Sequence, residues 1–192
     1  DSLSNFVSNN EMLMLDVNQG WSLEEAKEYL KILENYNFSW IEEPISALLN
    51  QEKFRNLIAE TKCNLAFGEN ITNLDEFIFL GQNSKSKYIQ PDLTKYGGVS
   101  LIKELSQSIQ SKKIWIHFLG GGIGLLTSAH IMSAFNPNAF LETDINLNPL
   151  RTSLFENELD ILDGKVFLED SYGIGGPLNY DTIDKYLVSS NY

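Results

Sequence analysis

The chain has 192 residues, with 14 Lys and Arg against 26 Asp and Glu, giving a formal net charge of −12 at pH 7. A polyanion-binding surface needs basic side chains to displace condensed counterions, so this balance argues against nucleic acid as a partner, while 43% hydrophobic and 11% aromatic residues supply a core and argue against disorder. No run nears the roughly 18 apolar residues of a membrane helix and no basic-then-apolar leader opens the chain, so no membrane association and a cytoplasmic location are expected.

Short apolar runs alternate with stretches of helical period. Met12-Leu13-Met14-Leu15 leads into Asp16, and Ser22 then caps a segment, Leu23 to Tyr36, with Leu23, Ala26, Leu30 and Leu33 on one face. The same signals recur in Phe38 to Ile41 with a helix around Asn50 to Lys62, and in Leu65 to Phe67 with a helix from Asn73 to about Leu80. Tyr88 to Gln90, Ile114 to Ile116 and Ala139 to Leu141 open three more units, which makes six predicted strands. Crossovers of this length imply parallel pairing, hence an α/β fold. From Asn146 to Tyr192 the pattern is hairpin-like, with a turn at Asp163-Gly164 and a loop over Gly173 to Pro177. No linker divides residues 1–192, which read as one domain.

Each predicted strand ends in a carboxylate or a histidine: Asp16, Glu42, Glu69, Asp92, His117 and Glu142, spaced by 23 to 27 residues. In a (β/α)8 barrel the carboxyl ends of the strands converge on one axis, so such groups share a pocket; in an open sheet they spread along an edge. Six units fall short of the eight in a closed barrel. The expectation is therefore a partial barrel whose first two units precede Asp1.

Cys63 is the only cysteine and His117 and His130 are the only histidines, so any metal here is held by oxygen. Asp16, Glu42 and Glu69 on successive strand ends suit a hard cation, with Mg²⁺ the default. A single such carboxylate would read as a cap or a surface ion pair. Asp92 and His117 on the next two ends form a candidate general base, in which the carboxylate orients the imidazole and the metal stabilises the enediolate left by proton abstraction beside a carboxylate. Gly120 to Gly124 opens a helix whose amides, at Gly121 and Gly122 in particular, suit an anionic substrate; tight packing is the alternative reason for glycine there. Lys95 faces either the pocket or solvent. Asn18 and Asn70 follow the first and third carboxylates and are placed to bind substrate or water. By strand alternation Glu43 points away from Glu42 and forms a structural ion pair, while His130 reads as packing or surface and Trp21 and Trp115 as core or pocket wall.

Asp16-Val17-Asn18, Ile41-Glu42-Glu43-Pro44, Gly68-Glu69-Asn70, Gln90-Pro91-Asp92 with Lys95-Tyr96-Gly97-Gly98, and His117 followed by Leu141-Glu142 together resemble the mandelate racemase/muconate lactonising branch of the enolase superfamily. The agreement in order and spacing runs from about Met12 to Pro177. The resemblance implies Mg²⁺-assisted removal of the proton α to a carboxylate, with Asp16, Glu42 and Glu69 matching metal ligands. Asp92 and His117 match the base of the mandelate racemase subgroup, whose members often dehydrate or epimerise sugar acids, and Glu142 matches a residue that hydrogen-bonds the substrate carboxylate. Lys95 matches a base of the muconate lactonising subgroup, so a cycloisomerase or dipeptide epimerase is the alternative, and a non-enzymatic remnant is a third reading.

The family's Lys-x-Lys base and its α+β capping domain have no counterpart between Asp1 and Met12. The segment 146–192 resembles the part of the family that returns toward the capping domain. The chain is thus expected to be a C-terminal barrel portion, inactive alone, with exposed strand edges that favour a homo-oligomer.

Overall fold

The computed structural model describes residues 12–46, 51–136, 140–157, 159, 161–168, 170 and 172–188. The chain packs as two compact units, Asp1–Ile114 and Trp115–Tyr192.

The first unit begins with β1 (Leu13–Asp16) and α1 (Leu23–Leu33). Ser22 and Glu25 form a reciprocal capping box at the start of α1, and Ala26 and Leu30, four apart, turn the helix inward. The helix ends at Leu33, earlier than the predicted Tyr36. The amides of Asn35 and Tyr36 reach back only three residues, to the Ile32 and Leu33 carbonyls, and so close tight turns instead of extending the helix. Next come β2 (Phe38–Glu42), α2 (Gln51–Glu60), β3 (Leu65–Phe67), α3 (Leu74–Asn83), β4 (Tyr88–Ile89), α4 (Leu93–Tyr96), α5 (Val99–Ser108) and β5 (Lys113–Ile114). The expected start of the second helix at Asn50 lies outside the described residues.

The strands form one parallel sheet in the order β1-β2-β3-β4-β5, as successive βα units require. Leu65, Ala66 and Phe67 of β3 are all buried, so both faces of this strand are covered, as is usual for parallel sheets. Phe67 meets Phe54 of α2 edge-on at 5.0 Å, and Phe77 of α3 meets Tyr96 of α4 at 4.8 Å. The first pair ties α2 to the sheet and the second ties α3 to α4.

The second unit contains α6 (Gly122–Phe135), α7 (Pro149–Thr152), the hairpin of β6 (Ile161–Leu162) and β7 (Lys165–Val166), and α8 (Tyr180–Tyr186). The predicted turn is present: Asp163 and Gly164 take φ of 50° and 71°, the left-handed pair that suits a two-residue hairpin. Phe155 bridges Leu178 antiparallel.

Two strand predictions need correction. The fifth strand is Lys113–Ile114, not Ile114 to Ile116, because the Ile116 amide leaves the ladder and donates to Met132 Sδ at 3.3 Å. The sixth is not a regular strand where described, at Phe140 and Leu141; Ala139 lies outside the described residues. The Glu142 side chain accepts from the Phe118 amide at 3.1 Å.

Candidate active site

The site-forming residues of the first unit lie at the carboxyl ends of its strands. Asp16 closes β1 and Glu42 closes β2, and the two are direct register partners. Asp16 Oδ1 accepts from the Asn18 amide at 2.8 Å, an Asx turn that carries Asn18 and Gln19 to φ of 47° and 59°. Asn18 itself is exposed. Glu42 is buried and shares its strand face with Trp40, whose Nε1 donates to Glu42 Oε2 at 3.1 Å. Glu69 stands two residues beyond β3, after Gly68, whose φ is 141°. A Cβ at Gly68 would meet the Phe77 ring at 2.8 Å, so only glycine allows this approach.

Glu43 departs from the sequence reading. Strand alternation would turn it away from Glu42 into an ion pair, but its φ is 37°, its side chain is buried, and it accepts from Gln19 Nε2, Asn70 Nδ2 and the Gly68 amide. Backbone pairing continues past Glu42, with the Glu43 amide on the Ala66 carbonyl, and it is the positive φ of Glu43, which no residue pattern records, that breaks the strand alternation. Asn70, expected to meet substrate or water, donates to both Glu43 Oε2 and Glu69 Oε1.

Asp92 is 1% exposed and caps α4. Its Oδ1 accepts from the Thr94 amide at 2.7 Å, the Thr94 hydroxyl at 2.6 Å and the Lys95 amide at 3.3 Å, while Oδ2 lies 4.0 Å from Lys95 Nζ. Lys95 is half-exposed, so it both faces solvent and pairs with Asp92. Tyr96 anchors this turn in the core, and burial pushes its phenol up to about 12.

In the second unit His117 is buried, with Nε2 3.9 Å from Glu142 Oε1. Gly121 is the N-cap of α6 and Gly122 its first residue, with no side-chain cap. A Cβ on Gly122 would lie 3.1 Å from the Arg151 carbonyl and 3.2 Å from the Phe155 ring, so close packing already accounts for that glycine. His130 contacts the Ile174 carbonyl, in keeping with a packing role.

The structure thus brings together Asp16 with Glu42, Glu69 with Glu43 through Asn70, Asp92 with Lys95, and His117 with Glu142. Among the described residues, no three His, Cys, Asp or Glu side chains are gathered closely enough to hold a metal ion. The donor chemistry nevertheless fits a hard divalent cation: Asp16, Glu42 and Glu69 offer carboxylate oxygen alone, from adjacent strand ends.

Residues 3–182 match the family described as Enolase C-terminal domain-like. The chain belongs to that family. Among enolase-superfamily proteins, L-talarate/galactarate dehydratase of Salmonella typhimurium is 30% identical over 169 residues, covering 87% of this chain and 40% of that protein. A solved structure of L-talarate/galactarate dehydratase liganded with Mg and L-glucarate superposes with a TM-score of 0.80 at 26% identity, over 95% of this chain and 44% of that one. The 3,6-anhydro-D-galactonate cycloisomerase of Zobellia galactanivorans has a TM-score of 0.87 at 22% identity, over 96% of this chain and 53% of that one, a likeness of fold. This chain therefore spans about half, or less, of the length of these relatives. The relatives are acid-sugar dehydratases and cycloisomerases, and the partial α/β barrel expected from the sequence is the enolase-type architecture. Among the described residues no helix is long and apolar enough to cross a membrane.

Proposed function

We propose that this chain supplies the metal-binding and proton-transfer groups of an enolase-superfamily lyase or isomerase that removes the proton α to the carboxylate of an acid sugar, as a dehydratase, racemase or epimerase of the mandelate racemase type. The observation that carries the reading is the sheet register, in which parallel strands end on Asp16 and Glu42 as partners and Glu69 follows the next strand. Asp16, Glu42 and Glu69 would hold Mg²⁺. When bound, the ion supplies positive charge to the substrate carboxylate as negative charge builds on it.

His117 takes the α-proton, and Glu142, 3.9 Å from its Nε2, offsets the charge that the ring acquires. Asp92 orients the imidazole, a role that rests on sequence order and on the resemblance. Glu142, Asn18 and the amides of Gly121 and Gly122 bind the substrate. A galactarate- or talarate-like diacid is the first substrate to try, since the dehydratase relative is named for both.

The test is α-hydrogen exchange into D2O followed by NMR on a panel of acid sugars, with the whole protein to which this chain belongs, alongside thermal melting of the chain with and without Mg²⁺. Exchange should require Mg²⁺ and fall at least 100-fold in His117→Asn, and Mg²⁺ should raise the melting midpoint of wild type more than that of Glu42→Gln. Equal midpoints with and without saturating Mg²⁺ in both proteins would remove the metal site. A second reading, which rests on the match of Lys95 to a base of the muconate lactonising subgroup, is a cycloisomerase or dipeptide epimerase with Lys95 as base. Lys95→Met decides between them, since exchange survives under the first reading and is lost under the second.

A further inference from the structure

The structure assigns Glu43 and Asn70 a positioning role toward the metal site: together they form a bridge that sets the Glu69 carboxylate, and with it the affinity for a divalent cation. This inference rests on the reading of Glu69 as a metal ligand.

Glu43, at the end of β2, collects donors from the ends of the two flanking strands. Gln19, in the loop after β1, donates its Nε2 to Glu43 Oε2 at 2.7 Å. Gly68 and Asn70, both after β3, donate the backbone amide to Oε1 at 3.3 Å and the side-chain Nδ2 to Oε2 at 2.7 Å. The backbone repeats the pattern, with the Gln19 amide on the Glu43 carbonyl at 2.7 Å and the Glu43 amide on the Ala66 carbonyl at 3.0 Å. Asn70 then completes the bridge, because the same Nδ2 donates to Glu69 Oε1 at 2.8 Å. A carboxylate only accepts hydrogen bonds, so the amide nitrogen has to face both acids, and this fixes the orientation of Asn70.

Two features go beyond what loop closure needs. Gln19 and Glu43 hold positive φ, 59° and 37°, without being glycine, which is strain that persists where the surroundings over-determine a conformation. In addition, the donors to Glu43 are neutral, so they orient its carboxylate without cancelling its charge. Glu43 is 3% exposed, adjoins Glu42 and is one amide away from Glu69, so its negative charge adds to the field at the position a cation would take. A partner that orients a ligand typically changes metal affinity 10- to 100-fold when removed.

The test is calorimetric titration of the full chain with Mg²⁺, with the electron paramagnetic resonance spectrum of bound Mn²⁺ as a second readout. Glu43→Gln places an amide against the donors of Gln19 and Asn70, and Asn70→Ala removes the bridge. Each should weaken Mg²⁺ by about tenfold or more and alter the Mn²⁺ spectrum. Ser22→Ala, at the cap of α1, is the control that lowers stability and leaves Mg²⁺ affinity at the wild-type value. Wild-type affinity in folded Glu43→Gln overturns the proposal, and if that variant does not fold, wild-type affinity in Asn70→Ala overturns it. If Glu69→Gln abolishes Mg²⁺ binding and the bridge variants do not weaken it, the metal site stands and only the bridge falls. If wild type itself takes up no Mg²⁺, both fall.

Discussion

Asp92 shows how one side chain carries two duties. One oxygen caps α4 and the other faces Lys95, so the orientation proposed for catalysis is set by a helix start. Asp144 is a simpler case, held in place by its own loop. The Asn146 amide holds its carboxyl below the ordinary value of 3.8, desolvation opposes it as the next-largest effect, and the Asn146 side chain and the Arg151 guanidinium add smaller lowering effects. A depressed folded value means that the stabilisation is present above the unfolded pKa and is lost as pH falls through the folded one. The melting midpoint of wild type should therefore exceed that of Asp144→Asn at neutral pH, with the gap closing below about pH 4; a gap independent of pH would separate the contact from its charge. Asp144 did not stand out in the sequence and Glu43 was read there as a structural ion pair, because both act through hydrogen bonds made in loops, where no periodicity points to a partner.

At the scale of elements, the strand ends were legible because each βα unit repeats the same order of apolar run, polar end and capped helix. Ser22 is a local signal that caps as read, and Asn73, read as the start of the next helix, is in fact its N-cap. The short strands were less legible. Nothing in Ile114-Trp115-Ile116 records that Met132, sixteen residues further on, takes the Ile116 amide. Gly68 is the element boundary most exposed to test, since its φ of 141° and a Cβ contact of 2.8 Å with Phe77 both exclude a side chain. Gly68→Ala should destabilise the first unit by about 2 kcal/mol or more by urea titration, and it should move Glu69 enough to weaken Mg²⁺. A stability within about 0.5 kcal/mol of wild type, the usual range for an uninvolved surface site, would show that the turn relaxes freely.

At the scale of the molecule, the described residues hold five parallel strands in sequential order, and β1 has a single ladder partner, β2. Met14 on that edge strand is exposed. Unpaired strand edges template association, so the chain should scatter light above its monomer mass, and Met14→Lys should shift it toward the monomer; a monodisperse wild-type monomer would count against the homo-oligomer expected from the sequence. The sequence by itself determined the α/β class and the parallel order of strands, which follow from residue type and from spacing along the chain, and its ordered motifs carried the resemblance to the enolase superfamily that the family match bears out. Tertiary structure alone decided that Glu43 turns inward, that Asn70 joins two carboxylates and that Glu142 accepts from the Phe118 amide. Each of these depends on which donor lies within 3.3 Å after folding, between residues 24 to 27 positions apart or one position apart across a turn.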